Sequence, residues 1–120
     1  MIKRNVEDEE VKRTFYQAHG GALARMIITA PDLRGMDFLA HAILAPGKEI
    51  EDHVDPYEEI YFILQGKGSM RVGTEAEEVG PMDAVYLPAG VPHGLTNVGS
   101  EELTILVVAA PPIRDLIQEG

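Results

Sequence analysis

Short β-prone runs separated by glycine and proline dominate the chain: ALARMIIT (22–29), MDFLAHAIL (36–44), EEIYFIL (58–64), SMRV (69–72), DAVYL (83–87), HGLTNV (93–98) and LTILVVAA (103–110). Helix-period patterns are scarce. The punctuation is APGK, QGKGS, VGTEA, VGPMD, PAGVP and NVGSE. Turn signals at roughly 8–12-residue spacing predict an all-β antiparallel sandwich or barrel rather than βαβ units. QGKG after FIL predicts a tight hairpin, with glycine where the backbone needs positive φ. At the end, PPIRDLIQEG predicts a short helix with Ile113, Leu116 and Ile117 on one face. Residues 1–21 are expected to form an edge strand or an arm lying on a partner, residues 22–110 the barrel, and residues 111–120 a short helix or tail.

Composition narrows this picture. A chain of 120 residues with 45% apolar content forms one globular domain with one core. It has no cysteine, which removes disulfides, thiolate metal sites and thiol nucleophiles. The N-terminal MIKRNVEDEE has no apolar segment of the kind a secretory signal carries, and no run approaches a membrane span. A cytoplasmic location is the expectation. The net charge is −10, from 20 acids against 10 bases. Nucleic acid and anionic membrane are therefore not expected partners, since both need a basic footprint.

Candidate chemistry concentrates in HVDPYEEIYF (53–62) and LPAGVPHGLTN (87–97). His53 and Asp55 stand two apart, which on a strand puts both on one face. Glu59 shares that parity beyond Pro56, and His53 and His93 each fall where a Gly/Pro-rich turn runs into a strand. Two imidazoles with two carboxylates make a mixed nitrogen and oxygen site suited to divalent Mn, Fe, Co, Ni or Zn. The alternative is a solvated acidic loop, with His93 a packed or capping residue.

These residues resemble the cupin superfamily. GKEIEDHVDPYEEIYFILQG fits the spacing of the first cupin motif at Gly47, His53, Glu59 and Gly66, with Asp55 at a histidine position. MDAVYLPAGVPHGLTN fits the second at Pro88, Gly90, His93 and Asn97, with Met82 where a glycine usually stands. The resemblance implies a double-stranded β-helix, or jelly-roll barrel, and one divalent transition metal (Mn, Fe, Ni or Zn) per chain held by His53, Asp55, Glu59 and His93. Aspartate is shorter than histidine by about one ring. Two ligand sets stay open: four protein ligands, or three with water in the place of Asp55. The His53, Asp55 and His93 pattern also looks like the triad of 2-oxoglutarate-dependent iron oxygenases. The arginine those enzymes place beyond the distal histidine has no counterpart except Arg114.

Strand parity sends Tyr61 and Ile63 inward with Glu59, and Leu95 and Asn97 inward with His93. Tyr61 is the candidate catalytic group, because a buried phenol needs a partner and can handle a proton; Asn97 can instead tie down a turn. By resemblance, Leu95, Ile105 and Val107 line the substrate site, while His19 and His41 are expected at the surface or an interface. The implied ligand is a small oxygenated organic molecule, bound by an oxygenase, isomerase or lyase, by a non-catalytic binding module, or replaced by nothing in a metal-free structural barrel. MIIT and LVVAA are continuous apolar runs, which predicts that both faces of those strands are covered and that the chain is a homodimer.

Overall fold

A computed structural model describes residues 1–112; the segment carrying Ile113, Arg114, Leu116 and Ile117 lies outside the described residues. In chain order the elements are α1 (Glu9–Lys12), β1 (Tyr16–Ala18), β2 (Ala22–Thr29), β3 (Phe38–Leu44), β4 (Glu49–His53), β5 (Glu59–Gln65), β6 (Gly68–Val72), β7 (Glu75–Val79), β8 (Ala84–Leu87), β9 (His93–Asn97) and β10 (Leu103–Ala109). Every pairing is antiparallel. A six-stranded sheet, ordered β1-β2-β3-β10-β5-β8, faces a four-stranded sheet, β4-β9-β6-β7. The expected all-β jelly roll is what the chain forms.

Alternation builds the core. Leu103, Ile105, Val107 and Ala109 of β10 point inward, as do Glu59, Tyr61 and Ile63 of β5 and His93, Leu95 and Asn97 of β9. Deep between the sheets, Leu44, Ile63, Leu87, Leu95, Leu103 and Ile105 are fully buried. Asn97 closes this end. Its amide donates to the carbonyls of Leu44 (2.9 Å) and Glu101 (2.8 Å), and its side-chain oxygen accepts from the Gly99 N–H (2.9 Å).

Two sequence expectations change. QGKG is not a hairpin: β5 belongs to the larger sheet and β6 to the smaller, so this tight link carries the chain between sheets. Gly66 has φ +92 and lies against the Glu102–Leu103 backbone, where a Cβ would collide, so glycine serves the crossing rather than a hairpin. The short hairpin is VGTE, between β6 and β7. His53 does not begin a strand; it ends one. The pattern missed β4 (EIEDH) and β7 (EAEEV) because each buries a single apolar residue, Ile50 or Val79. Both are edge strands of the smaller sheet, and charge on an edge discourages pairing with other chains.

The outer face of the larger sheet breaks the usual alternation of apolar inside and polar outside. In register across β3, β10, β5 and β8, Leu39, Val108, Ile60 and Tyr86 form one row and His41, Leu106, Phe62 and Ala84 the next. His41 is therefore on the outside, remote from the site.

Met82, at the family's glycine position, adopts φ +74, a left-handed conformation that costs an L-residue about 1–2 kcal/mol. Its N–H donates to the Ile63 carbonyl (2.8 Å), which holds the turn in place. The side chain is 74% exposed, so removing it forfeits little packing. Glycine recovers the strain and gives back roughly 0.5–1 kcal/mol in unfolded-chain entropy. Met82→Gly should raise stability by about 0.5–1 kcal/mol in urea unfolding, and Met82→Val should lower it. A destabilised glycine variant contradicts the account.

Candidate metal centre

Three strand ends and one link converge at one mouth of the barrel. His53 ends β4 and His93 begins β9, and the two are directly opposed in the register of these neighbouring strands. Their rings lie 4.3 Å apart at 63°. Glu59 is the first residue of β5, in the other sheet. Asp55 lies in the link 54–58 that joins the sheets, and its carbonyl accepts from the Gly90 N–H (2.9 Å), which ties this link to the turn before β9.

One donor atom from each of His53, Asp55, Glu59 and His93 lies within 4.8 Å of all the others. His53 Nε2 is 3.0 Å from Asp55 Oδ2; His93 Nε2 is 3.6 Å from Asp55 Oδ2 and 3.4 Å from Glu59 Oε1. The shorter aspartate side chain reaches the cluster. Ligands about 2.1 Å from a common ion stand roughly 3.0–3.4 Å from their neighbours, so these separations suit a shared cation.

Hydrogen bonding sharpens that fit. His53 Nδ1 lies 2.8 Å from the Glu51 carbonyl and donates to it. In the neutral ring this leaves Nε2 as a lone pair, aimed at a carboxylate oxygen. Glu59 Oε1 and His93 Nε2 are buried without a hydrogen-bond partner, since their 3.4 Å approach is not aligned as a hydrogen bond. Buried acceptors facing one another are unfavourable unless a proton or a cation lies between them. The group could hold a metal ion, with the Glu51 carbonyl fixing His53 in the ligating orientation.

Burial, with the neighbouring Asp55 carboxylate, raises the Glu59 pKa above the ordinary value, although His93 opposes this. Burial also disfavours charge on Asp55, but the contacts with His53 and its positive charge outweigh it and lower that pKa. Burial depresses His53, yet its bonds to Asp55 and the Glu51 carbonyl leave it raised.

A cavity of about 70 Å³ adjoins the cluster through Glu59, bounded by β1, β2, β3 and β5 and reaching Ile50, Tyr57 and Val107. Tyr61 lines it, 3% exposed and edge-on to His93 at 5.8 Å. Val107 lines it too. Leu95 and Ile105 do not; each lies deeper along its strand, in the packed core, so neither is placed to touch a ligand there.

His19 is exposed, as expected, but it also belongs to the site. Its ring stacks on His53, centroids 3.6 Å apart and planes 8° from parallel, and it lines the cavity. The HGG segment brings it there. The Glu51 N–H donates to the His19 carbonyl and the Gly21 N–H to the Glu49 carbonyl, both at 2.9 Å. A Cβ on Gly20 or Gly21 would strike Glu51 or the Glu49 backbone. A histidine followed by two glycines was the available signal, but it lies outside the spaced motifs. Tyr16 and Tyr57, which also line the cavity, had none.

A two-sheet jelly-roll barrel with a mixed imidazole and carboxylate cluster at one mouth is the arrangement of a cupin. The model of the cupin domain family matches residues 40–109, and the chain belongs to that family. It is 34% identical over 99 residues to an uncharacterized protein of Methanocaldococcus jannaschii, spanning 81% of this chain and 79% of that one. It is 25% identical over 112 residues to the polyketide synthase CurC of Streptomyces cyaneus, spanning 92% of this chain and 71% of that one. The crystal structure of a predicted oxalate decarboxylase from Thermotoga maritima superposes with a TM-score of 0.78 at 22% identity, covering 92% of this chain and 98% of that one. This last likeness speaks for the fold alone.

The raised Glu59 and His53 pKa values set a direction for the metal-free protein. In each case the folded chain holds the proton more tightly than the unfolded chain, so stability is lost as pH rises from the unfolded value, 4.5 for Glu59 and 6.5 for His53, through the folded one. Chelator-treated protein should therefore become less stable between about pH 4.5 and neutrality. Glu59→Gln removes the buried carboxylate and offers an N–H toward His93 Nε2; it should stabilise the metal-free chain at pH 7 by about 1–2 kcal/mol and flatten the acid end of that slope. Denaturant midpoints across pH check both, and a Glu59→Gln variant less stable than the parent at pH 7 contradicts the reading.

Proposed function

We propose that the chain is a metal-dependent cupin that binds a small oxygenated organic molecule at a mononuclear divalent centre, formed by His53, Asp55, Glu59 and His93, and acts on it there. The observation that carries this reading is the convergence of four donors in which Glu59 Oε1 and His93 Nε2 are buried without a hydrogen-bond partner, beside the His53 Nε2 and Asp55 Oδ2 pair at 3.0 Å. Two carboxylates balance the charge of one divalent cation. Mn, Fe, Ni or Zn suits the donor set. When bound, such an ion supplies Lewis acidity toward a carbonyl or enol oxygen or, if redox-active, dioxygen chemistry. The chain's own residues do the rest. Apolar walls exclude water. Burial, with the charge of Glu59, keeps the Tyr61 hydroxyl protonated, so it faces the ligand as a hydrogen-bond donor. Tyr57 is held protonated in the same way.

We also propose a homodimer joined through the outer face of the larger sheet. The outward positions of β3, β10, β5 and β8 carry no carboxylate among the described residues, although the whole chain has a net charge of −10. Glu58 reaches the Tyr86 hydroxyl at one border, but the rows themselves are uncharged, so two copies of an acidic chain can meet here with little repulsion while covering Leu106, Ile60 and Tyr86.

Elemental analysis and titration with Mn²⁺ test the metal reading. The purified protein should carry about one divalent ion per chain. His53→Ala and His93→Ala should lower affinity by 100-fold or more. Asp55→Ala should lower it less, about tenfold, because water can take a carboxylate's place. Asp55→His should shift preference from Mn toward Ni. If Asp55→Ala changes neither content nor preference, Asp55 is not a ligand; if no variant changes either, the centre is not a metal site.

Light scattering tests the assembly. The parent should give about twice the 13.1 kDa chain mass, and Ile60→Lys should give one chain's mass. A monomeric parent across micromolar concentrations refutes the dimer.

A further inference from the structure

The cavity keeps space where the rest of the barrel fills it. Around the cavity, β10 and β5 turn Val107, Glu59 and Tyr61 inward, whereas β2 and β3 turn Ala22, Ala24, Ala40 and Ala42 inward, with Phe38 at the end of β3. Ala24 stands directly opposite Ala42 across the two strands. Together they make a flat floor of methyl groups, and Phe38, edge-on to Tyr57 at 6.3 Å, makes a wall. Core positions this small forfeit packing unless something else fills the gap.

Charge and size narrow the occupant. Among the described residues no lysine or arginine lines the cavity. With a divalent ion held by Asp55 and Glu59, the centre is neutral, so a doubly charged ligand has no balancing cation. A water-sized group needs roughly 10–15 Å³ on this scale, and about 70 Å³ therefore admits some five to seven of them. That is one ring, not a fused system.

We propose that the ligand is a single flat six-membered ring with two adjacent oxygens, neutral or singly ionised, its face on the alanine floor and its oxygens at the His53, Asp55, Glu59 and His93 cluster. The donors around the ring edge are the hydroxyls of Tyr57 and Tyr61. The inference rests on the metal reading above and adds the ligand class.

Calorimetric titration tests it in two stages, first Mn²⁺ into the whole chain and then catechol into the Mn²⁺-loaded protein. Catechol should bind the loaded protein and not the chelated one. Oxalate, a dianion that also chelates through two oxygens, and 2,3-dihydroxynaphthalene, the fused-ring version of catechol, should each bind at least tenfold more weakly than catechol. Ala24→Val and Ala42→Val should keep Mn²⁺ affinity within about twofold, which also reports that they fold, and lose catechol by tenfold or more. Oxalate or the naphthalene binding as tightly as catechol overturns the proposal without any variant being needed, as does catechol binding that ignores both substitutions. Failure of Mn²⁺ to bind the parent shows in the first stage; it rejects the metal reading, and the ligand class falls with it.

Discussion

A histidine held against a carboxylate governs the mouth of this barrel. The Nδ1–H of His53 is committed to the Glu51 carbonyl, so Nε2 meets Asp55 Oδ2 at 3.0 Å. Two acceptors at that distance repel unless a positive charge joins them, and burial removes the water that would otherwise soften the conflict. The same conflict is repeated by Glu59 and His93 without any hydrogen bond at all. A core could not tolerate this at random. The closed packing of Leu44, Ile63, Leu95 and Leu103 at the other end offsets it, and rigid strand ends keep the four groups from moving apart.

The fold supplies that rigidity by using both sheets. His53 and His93 are locked by strand register within the smaller sheet; Glu59 comes from the larger; Asp55 lies in the link between them. Relative motion of the sheets would therefore open the cluster. The HGG segment opposes such motion, because it joins the strand before it, β1 of the larger sheet, to β4 of the smaller through the His19 and Gly21 backbone bonds. His19 then stacks its ring on His53. Backbone pairing and ring stacking act on the same residue.

Much of this was legible in the sequence because spacing carries it. Alternation in EEIYFIL and HGLTN fixed which side chains face inward, and the two spaced motifs marked the four donors. What was not legible has physical causes. Strand β7 is paired on one side only, and β4 meets only the short HGG segment on its other side; each buries a single apolar residue, so both lack the apolar period that announces a strand. QGKG reads as a hairpin because glycine at positive φ serves any tight reversal, and only long-range pairing decides which sheet the next strand joins. Whether Asp55 reaches the cluster depended on the path of the link 54–58. His19 is separated from His53 by 33 intervening residues (20–52), and nothing in its neighbourhood reports that β2 and β4 will pass close together.

That last omission bears on how function divides along the chain. All four donors fall within residues 53–93, inside the stretch that matches the family model. Six of the thirteen residues lining the cavity do not. Tyr16, Ala18, His19, Ala22 and Ala24 precede residue 40, as does Phe38. The part of the site that would hold an ion thus lies inside the matched stretch, and the space for a ligand is shaped by that stretch and the chain before it together. A fold common to many functions leaves the choice of ligand to grafted detail. Here the detail is a row of methyl groups on β2 and β3 and one histidine delivered through two glycines. The same four donors, with larger side chains at positions 24 and 42, would keep their geometry and lose the room beside it.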